Sequence, residues 1–160
     1  MNSTNDLRSL SPSRALVIGG YGVFGSHVAR ELAARGLRVS VAGRDKDKAA
    51  SFAESLGAEH DGVRLHLAAA ESLAEAFAGY NVVIQCAGPF SQLDDRVLSA
   101  CLAAGCHYVD IADDREYCRV VHDQHDAFAN RDLLAAYGCS SLPGISLAAV
   151  GSAKKMDAGR

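Results

Sequence analysis

Three groups of residues in this chain have the types and spacing to do chemistry. The first is Gly19-Gly20-Tyr21-Gly22-Val23-Phe24-Gly25, in which Gly20, Gly22 and Gly25 repeat the G-x-G-x-x-G spacing of a phosphate-cradling turn. Each glycine has a mechanical task in such a turn: the first permits the sharp bend, the second lets backbone approach a pyrophosphate, and the third lets helix and strand pack closely. Amide groups at the start of the following helix face the phosphates with the positive end of the helix dipole behind them. The second group is Gly43-Arg44-Asp45. In a dinucleotide site an acidic residue at this place binds the ribose hydroxyls of NAD, whereas an arginine accommodates the extra phosphate of NADP. Arg44 offers a planar fork to that phosphate and Gly43 leaves room beside it, so the expected cofactor is NADP, with NAD as the alternative. Asp45 either caps the next helix or serves as a ribose ligand. The third group is Cys86-Ala87-Gly88-Pro89, small residues and a φ-locking proline on which a flat ring or ribose can rest.

Other reactive residues point less clearly to a site. Cys86 ends a strand, but no histidine or lysine adjoins it to lower its pKa, which favours a buried thiol over a nucleophile. Cys118, His122 and His125 fall at i, i+4 and i+7 with Asp126 next; three ligands on one helix rarely close around an ion without a fourth, and no metal site is expected. Asp110 is either a contact for substrate or nicotinamide ribose or a structural carboxylate, and Asp113 or Asp114 suits a helix cap. No catalytic acid or base is assigned, because such a group must be placed against a substrate that the sequence does not define.

Positioning these groups requires an alternation of strands and helices. A β-branched run ends at Ile18, and Phe24, Val28 and Leu32 then mark one face of a helix. Strands are expected at residues 37–42, 63–67, 81–86, 108–111 and 133–137, with helices at 46–56, 72–77, 94–104 and 115–130. The 81–86 run is continuously apolar in its centre, as for a strand buried on both faces. Connections too long for hairpins make the strands parallel with right-handed crossovers. The fold expected is α/β, a doubly wound parallel sheet of the Rossmann type with six strands in order 3-2-1-4-5-6. Its crevice opens between the first and fourth strands, which places the Cys86–Pro89 loop opposite the glycine turn.

The bulk properties agree with one domain. The 160 residues are 49% apolar, and 16 basic against 19 acidic residues leave a net charge of −3 with no basic patch, which argues against nucleic acid. No run is long and apolar enough to span a membrane, and the polar N-terminus lacks the apolar core of a secretion signal, so the expected location is the cytoplasm. Five cysteines without a C-x-x-C pair argue against a disulfide framework. Residues 1–13 read as a leader, 14–147 as the nucleotide-binding domain and 148–160 as a tail.

With these residues in place, the sequence resembles the NAD(P)-binding domain of saccharopine dehydrogenase-like oxidoreductases. The segments that carry the resemblance are Val17 through Gly25, Ala42-Gly43-Arg44, Cys86 through Phe90, His107-Tyr108-Val109-Asp110 and Leu142-Pro143-Gly144. It implies a cytoplasmic oxidoreductase with cofactor contacts at the glycine turn, Arg44 and the Cys86–Pro89 loop. It also implies a second domain that binds substrate and often mediates dimerisation, which this chain is expected to lack. The leading expectation is hydride transfer between nicotinamide and a small carbonyl, imine or amine-linked substrate. The alternative is a non-catalytic NADP-binding sensor or assembly module. A short-chain-type enzyme is disfavoured, since none of the five tyrosines has a lysine four residues on.

Overall fold

A computed structural model describes residues 13–68 and 72–140. The expected tail, the Leu142-Pro143-Gly144 segment and all but the last residue of the expected leader lie outside the described residues. The elements run β1 (Arg14–Ile18), α1 (Val23–Ala34), β2 (Arg38–Gly43), α2 (Lys46–Glu54), β3 (Asp61–Arg64), α3 (Leu73–Phe77), β4 (Val82–Gln85), a 3₁₀ turn (Phe90–Gln92), α4 (Arg96–Ala104), β5 (His107–Asp110), α5 (Arg115–Asp123), α6 (His125–Ala129) and β6 (Ala135–Ala136). All strand pairs are parallel, and the order is β3-β2-β1-β4-β5-β6, as expected.

Both faces of the sheet are covered, which is why the central strands carry apolar residues without alternation. On one face Ala15, Val17, Val39, Val41 and Ile84 meet Ala29 of α1 and Ala49 and Ala53 of α2. On the other, Leu16, Ile18, Val83 and Tyr108 meet Phe77 of α3, Val97 and Leu98 of α4, Tyr117 and Val121 of α5, and Phe128 of α6. The alanines of α1 and α2 are short enough to bring these helices against the sheet. At Gly62 the approach is closest, since a Cβ there would lie 2.2 Å from the Ala50 nitrogen.

Three elements differ from the expectation. The third strand pairs over Asp61–Arg64 rather than residues 63–67. The alternation of Val63, Leu65 and Leu67 is real, for all three pack into the same core. Ladder pairing stops earlier because β2 ends at Gly43, opposite Arg64. The single helix expected over 115–130 is two, broken at Gln124, whose backbone (φ −89°, ψ 1°) turns its N–H to the Val121 carbonyl three residues back. The sixth strand is only Ala135–Ala136, and the His107 ring takes over part of its edge by accepting the Leu134 N–H at Nδ1 (3.0 Å).

Candidate functional site

The glycine turn is built by contacts that no side chain could share. Gly19 has φ +75°, so the left-handed bend falls one residue before the first glycine of the motif. Its N–H donates to the Ala42 carbonyl (2.8 Å), which ties the turn to the end of β2. A Cβ on Gly20 would meet the Val17 carbonyl at 2.8 Å, and one on Gly25 would lie 2.1 Å from the Gly19 oxygen. Both residues are buried and serve packing. Gly22 is different: a Cβ there would meet only the Gly19 oxygen, at 3.1 Å, and otherwise point into open space. Gly22 also caps α1, whose first bond runs from the Ser26 N–H to the Gly22 carbonyl (2.9 Å). The Val23, Phe24 and Gly25 amides before it have no intrahelical acceptor and are oriented for an anion.

Tyr21 links this turn to the next one. Its ring lies on Gly43, where a Cβ would come within 2.3 Å of the ring, and its hydroxyl accepts the Asp45 N–H (3.1 Å). The Asp45 carboxylate is used locally. It accepts from the Asp47 and Lys48 amides (both 3.1 Å) as the N-cap of α2, and Lys48 Nζ stands 3.5 Å away. These hydrogen bonds hold its pKa below the usual carboxylate value. Arg44 is exposed and has no carboxylate or other polar partner among the described residues.

Two cavities form one crevice along the carboxyl edge of the sheet, sharing Cys86, Gly88 and Pro89. The first, about 550 Å³, is lined by Gly19, Tyr21, Gly22, Gly43, Arg44, Ala87 and the chain after β3, including His66. No carboxylate among the described residues lines it. The second, about 750 Å³, is lined by Phe24, His27, Phe90, Asp113, Asp114 and Cys139. Phe24 on its wall is 64% exposed. The structure thus brings Gly19, Tyr21, Gly22, Phe24, Arg44, Cys86, Ala87, Gly88 and Pro89 to the crevice walls. Gly20 and Gly25 lie beneath, and Val23 stands outside the lining.

The wall after β4 rests on a buried polar chain. Phe90 packs on Tyr117 with ring centroids 5.2 Å apart. The Tyr108 hydroxyl donates to Asp110 Oδ2 (2.9 Å), which leaves the Tyr117 hydroxyl to donate to the Tyr108 oxygen (2.9 Å). Asp110 Oδ1 accepts the Ala112 and Gly138 amides (2.9 and 2.8 Å), and its carbonyl accepts the Cys139 N–H (2.9 Å). Asp110 is fully buried, so it is a structural clamp on the crevice floor and not a surface for ligand. Burial, then the neighbouring hydroxyl and carboxylate charges, raises the Tyr108 pKa, and burial pushes that of Tyr117 up to about 12. Gln85, also buried, braces the loop by donating Nε2 to the Ala87 carbonyl (3.1 Å).

The Cys86 thiol is pushed up to about 12 by burial and by the Asp110 charge. Its thiolate fraction at pH about 8 is then on the order of 10⁻⁴, too small for a nucleophile. Iodoacetamide near that pH is expected to modify exposed Cys139 and spare Cys86, read by peptide mass spectrometry; preferential labelling of Cys86 would contradict this environment. Of the metal-like set, His122 Nδ1 is engaged by the Tyr137 hydroxyl (3.1 Å), and the helix breaks before His125. No cluster of three potential ligands forms among the described residues. Asp114, rather than Asp113, caps α5 through the Tyr117 N–H (2.9 Å).

Fold and crevice together define a dinucleotide-binding α/β domain. The chain belongs to the saccharopine dehydrogenase NADP-binding domain family, whose model matches residues 15–135. Among solved structures it is similar to apo saccharopine dehydrogenase (L-Glu forming) from Saccharomyces cerevisiae, with 20% identity and a TM-score of 0.73 over 89% of this chain and 31% of that one. It is also similar to AtPrR2 with NADP+ and (+)-pinoresinol (16% identity, TM-score 0.57, 79% of this chain and 49% of that one). A short chain dehydrogenase/reductase family protein matches with 24% identity and a TM-score of 0.52, over 64% of this chain and 56% of that one. At these identities the likeness is one of fold, and this chain spans 31% of the yeast enzyme's length. Comparison with curated protein sequences gives no match. No helix among the described residues is long and apolar enough to cross a membrane.

His66, His27 and Asp113 are crevice residues that sequence reasoning missed. His66 is hidden because the alternation of Val63, Leu65 and Leu67 places it inside the expected third strand, whereas the ladder ends two residues before it. His27 lies one helical turn beyond the glycines, where spacing alone does not distinguish a crevice residue from a solvated one.

Proposed function

We propose that this chain is the NADP-binding domain of a dehydrogenase, holding the cofactor across the crevice with the adenosine over the Arg44 half and the nicotinamide over the Phe24 half. The observation that carries the reading is electrostatic. At the end of β2 the arginine is unpartnered among the described residues, while the neighbouring carboxylate is consumed as a helix cap. A 2′-phosphate finds a free guanidinium there, and a bare ribose finds no free acceptor. The glycine turn fits the pyrophosphate, because Gly22 faces open space at the start of α1. Bound NADP would supply hydride chemistry toward a small carbonyl, imine or amine-linked substrate. The chain's own residues bind and orient it: Gly22 and the α1 amides at the pyrophosphate, Arg44 at the 2′-phosphate, and Ala87 and Gly88 along the middle of the crevice.

Arg44→Ala is expected to weaken NADPH binding by about 10–100-fold, the worth of a charge-assisted bidentate contact, while NADH affinity changes by less than about twofold. Fluorescence titration measures both. Equal losses would make Arg44 a structural residue, and wild-type preference for NADH would overturn the NADP assignment.

A further inference from the structure

The half of the crevice assigned to adenosine holds a second group able to carry positive charge. The β2–β3 ladder ends where Gly43 faces Arg64, and the Leu65 N–H then closes on the Gly43 carbonyl (2.8 Å). Continued past the ladder, that register sets Leu65 opposite Arg44 and His66 one residue further along, so both side chains leave the ends of adjacent parallel strands. Both line the same cavity. His66 is exposed and has no polar partner among the described residues.

His66 is also firmly mounted. On one side Leu65 is buried in the core. On the other the Leu67 carbonyl accepts from Arg96 Nη1 (3.2 Å), and Arg96 is itself gripped by Asp94, with contacts of 2.7 Å from both Nε and Nη2.

We infer that His66 is a second ligand of the NADP 2′-phosphate, beside Arg44, and that it makes affinity for the phosphorylated cofactor depend on pH. The inference rests on the crevice being the NADP site proposed above. Among the described residues, the charged or titratable groups that share the cavity with His66 are Arg44 after β2, Tyr21 on the glycine turn and Cys86 after β4. Arg64 lies two residues back on its own strand. The Arg96–Asp94 pair stands beside Leu67, and Asp45, Lys46, Asp47 and Lys48 open α2. Among the described residues no carboxylate lines this cavity, so a phosphate held at Arg44 is the anion that a protonated imidazole there would meet. Imidazole gains charge as pH falls from about 8 to about 5. The phosphate loses charge near pH 6, but does so equally for every variant of the protein.

The test compares wild type, His66→Gln and His66→Lys as the full chain, titrated with NADPH and NADH at about pH 6 and about pH 8.5. Comparing variants at one pH cancels the titration of the ligand. Wild type is expected to bind NADPH about tenfold more tightly than His66→Gln at the lower pH and within about twofold at the higher, with NADH indifferent to the change throughout. His66→Lys is expected to keep its advantage over His66→Gln at both values. A ratio that is the same at both pH values, or an equal loss of NADH affinity, overturns the role of His66 and leaves the NADP site standing. Failure of wild type to bind either nucleotide at millimolar concentration overturns the site itself, and this inference with it.

Discussion

Replacing Asp110 with alanine is expected to lower the unfolding free energy by about 3–5 kcal/mol, because two buried donors and one half-buried donor lose their acceptor at once. These are the Ala112 and Gly138 amides and the Tyr108 hydroxyl. Each unsatisfied buried donor costs about 1–3 kcal/mol, partly offset where the backbone shifts or water enters. Since domains are stable by only about 5–15 kcal/mol, the variant should be close to unfolded under mild conditions. Asp110→Asn should behave differently. The amide oxygen can keep both backbone donors, and the amide nitrogen can donate to the Tyr108 oxygen if the Tyr108–Tyr117 bond reverses direction. A cost below about 1.5 kcal/mol is expected for it. Urea unfolding of the two variants makes the comparison. Equal and large losses would mean that the carboxylate charge, not its acceptor geometry, holds the clamp.

Gly25→Ala is expected to cost about 3 kcal/mol and to abolish measurable NADPH binding. The new Cβ would lie 2.1 Å from the Gly19 oxygen and 2.7 Å from the Gly19 carbonyl carbon, atoms of a backbone that is itself bonded to β2. Nothing flexible can yield, so α1 must move away from the turn, and overpacking of this kind costs about 1–3 kcal/mol, occasionally more. Moving α1 also displaces the amides that would meet the pyrophosphate. Gly22→Ala separates the two effects. Its Cβ meets a single oxygen at 3.1 Å, and its φ of −76° suits any residue. Stability should fall by less than about 1 kcal/mol, the loss being mainly that of a good N-cap. Affinity should still fall at least about tenfold, because the methyl would enter the space that the proposed site gives to the phosphates. Thermal unfolding together with NADPH titration reads both. Full affinity in Gly22→Ala would argue that the pyrophosphate lies elsewhere.

Much of this architecture was legible because it depends on local pattern. Apolar runs separated by helical periodicity, with connections too long for hairpins, leave a parallel sheet as the outcome, and the glycine spacing marks its first turn. Boundaries were less legible where tertiary contacts set them. Val63, Leu65 and Leu67 alternate as a strand does, but the ladder stops at Arg64 because its partner β2 has ended. The 115–130 periodicity runs unbroken through Gln124, with no glycine or proline to announce the break there.

The sequence by itself determined the six parallel strands and their order, and it marked the glycine turn at which we propose that a dinucleotide sits, since these follow from period, length and glycine placement. Only the tertiary structure decided which charged groups remain free to meet it. Asp45 and Asp110 look equally available as letters, yet one is bonded to the first amides of its own helix and the other to Gly138, 28 residues away. Arg44 and His66, 22 positions apart in the chain, come to line one cavity because β2 and β3 are adjacent parallel strands that end together. Hydrogen-bond partners of that range leave no periodic trace, because they are chosen by which strand ends the fold brings side by side.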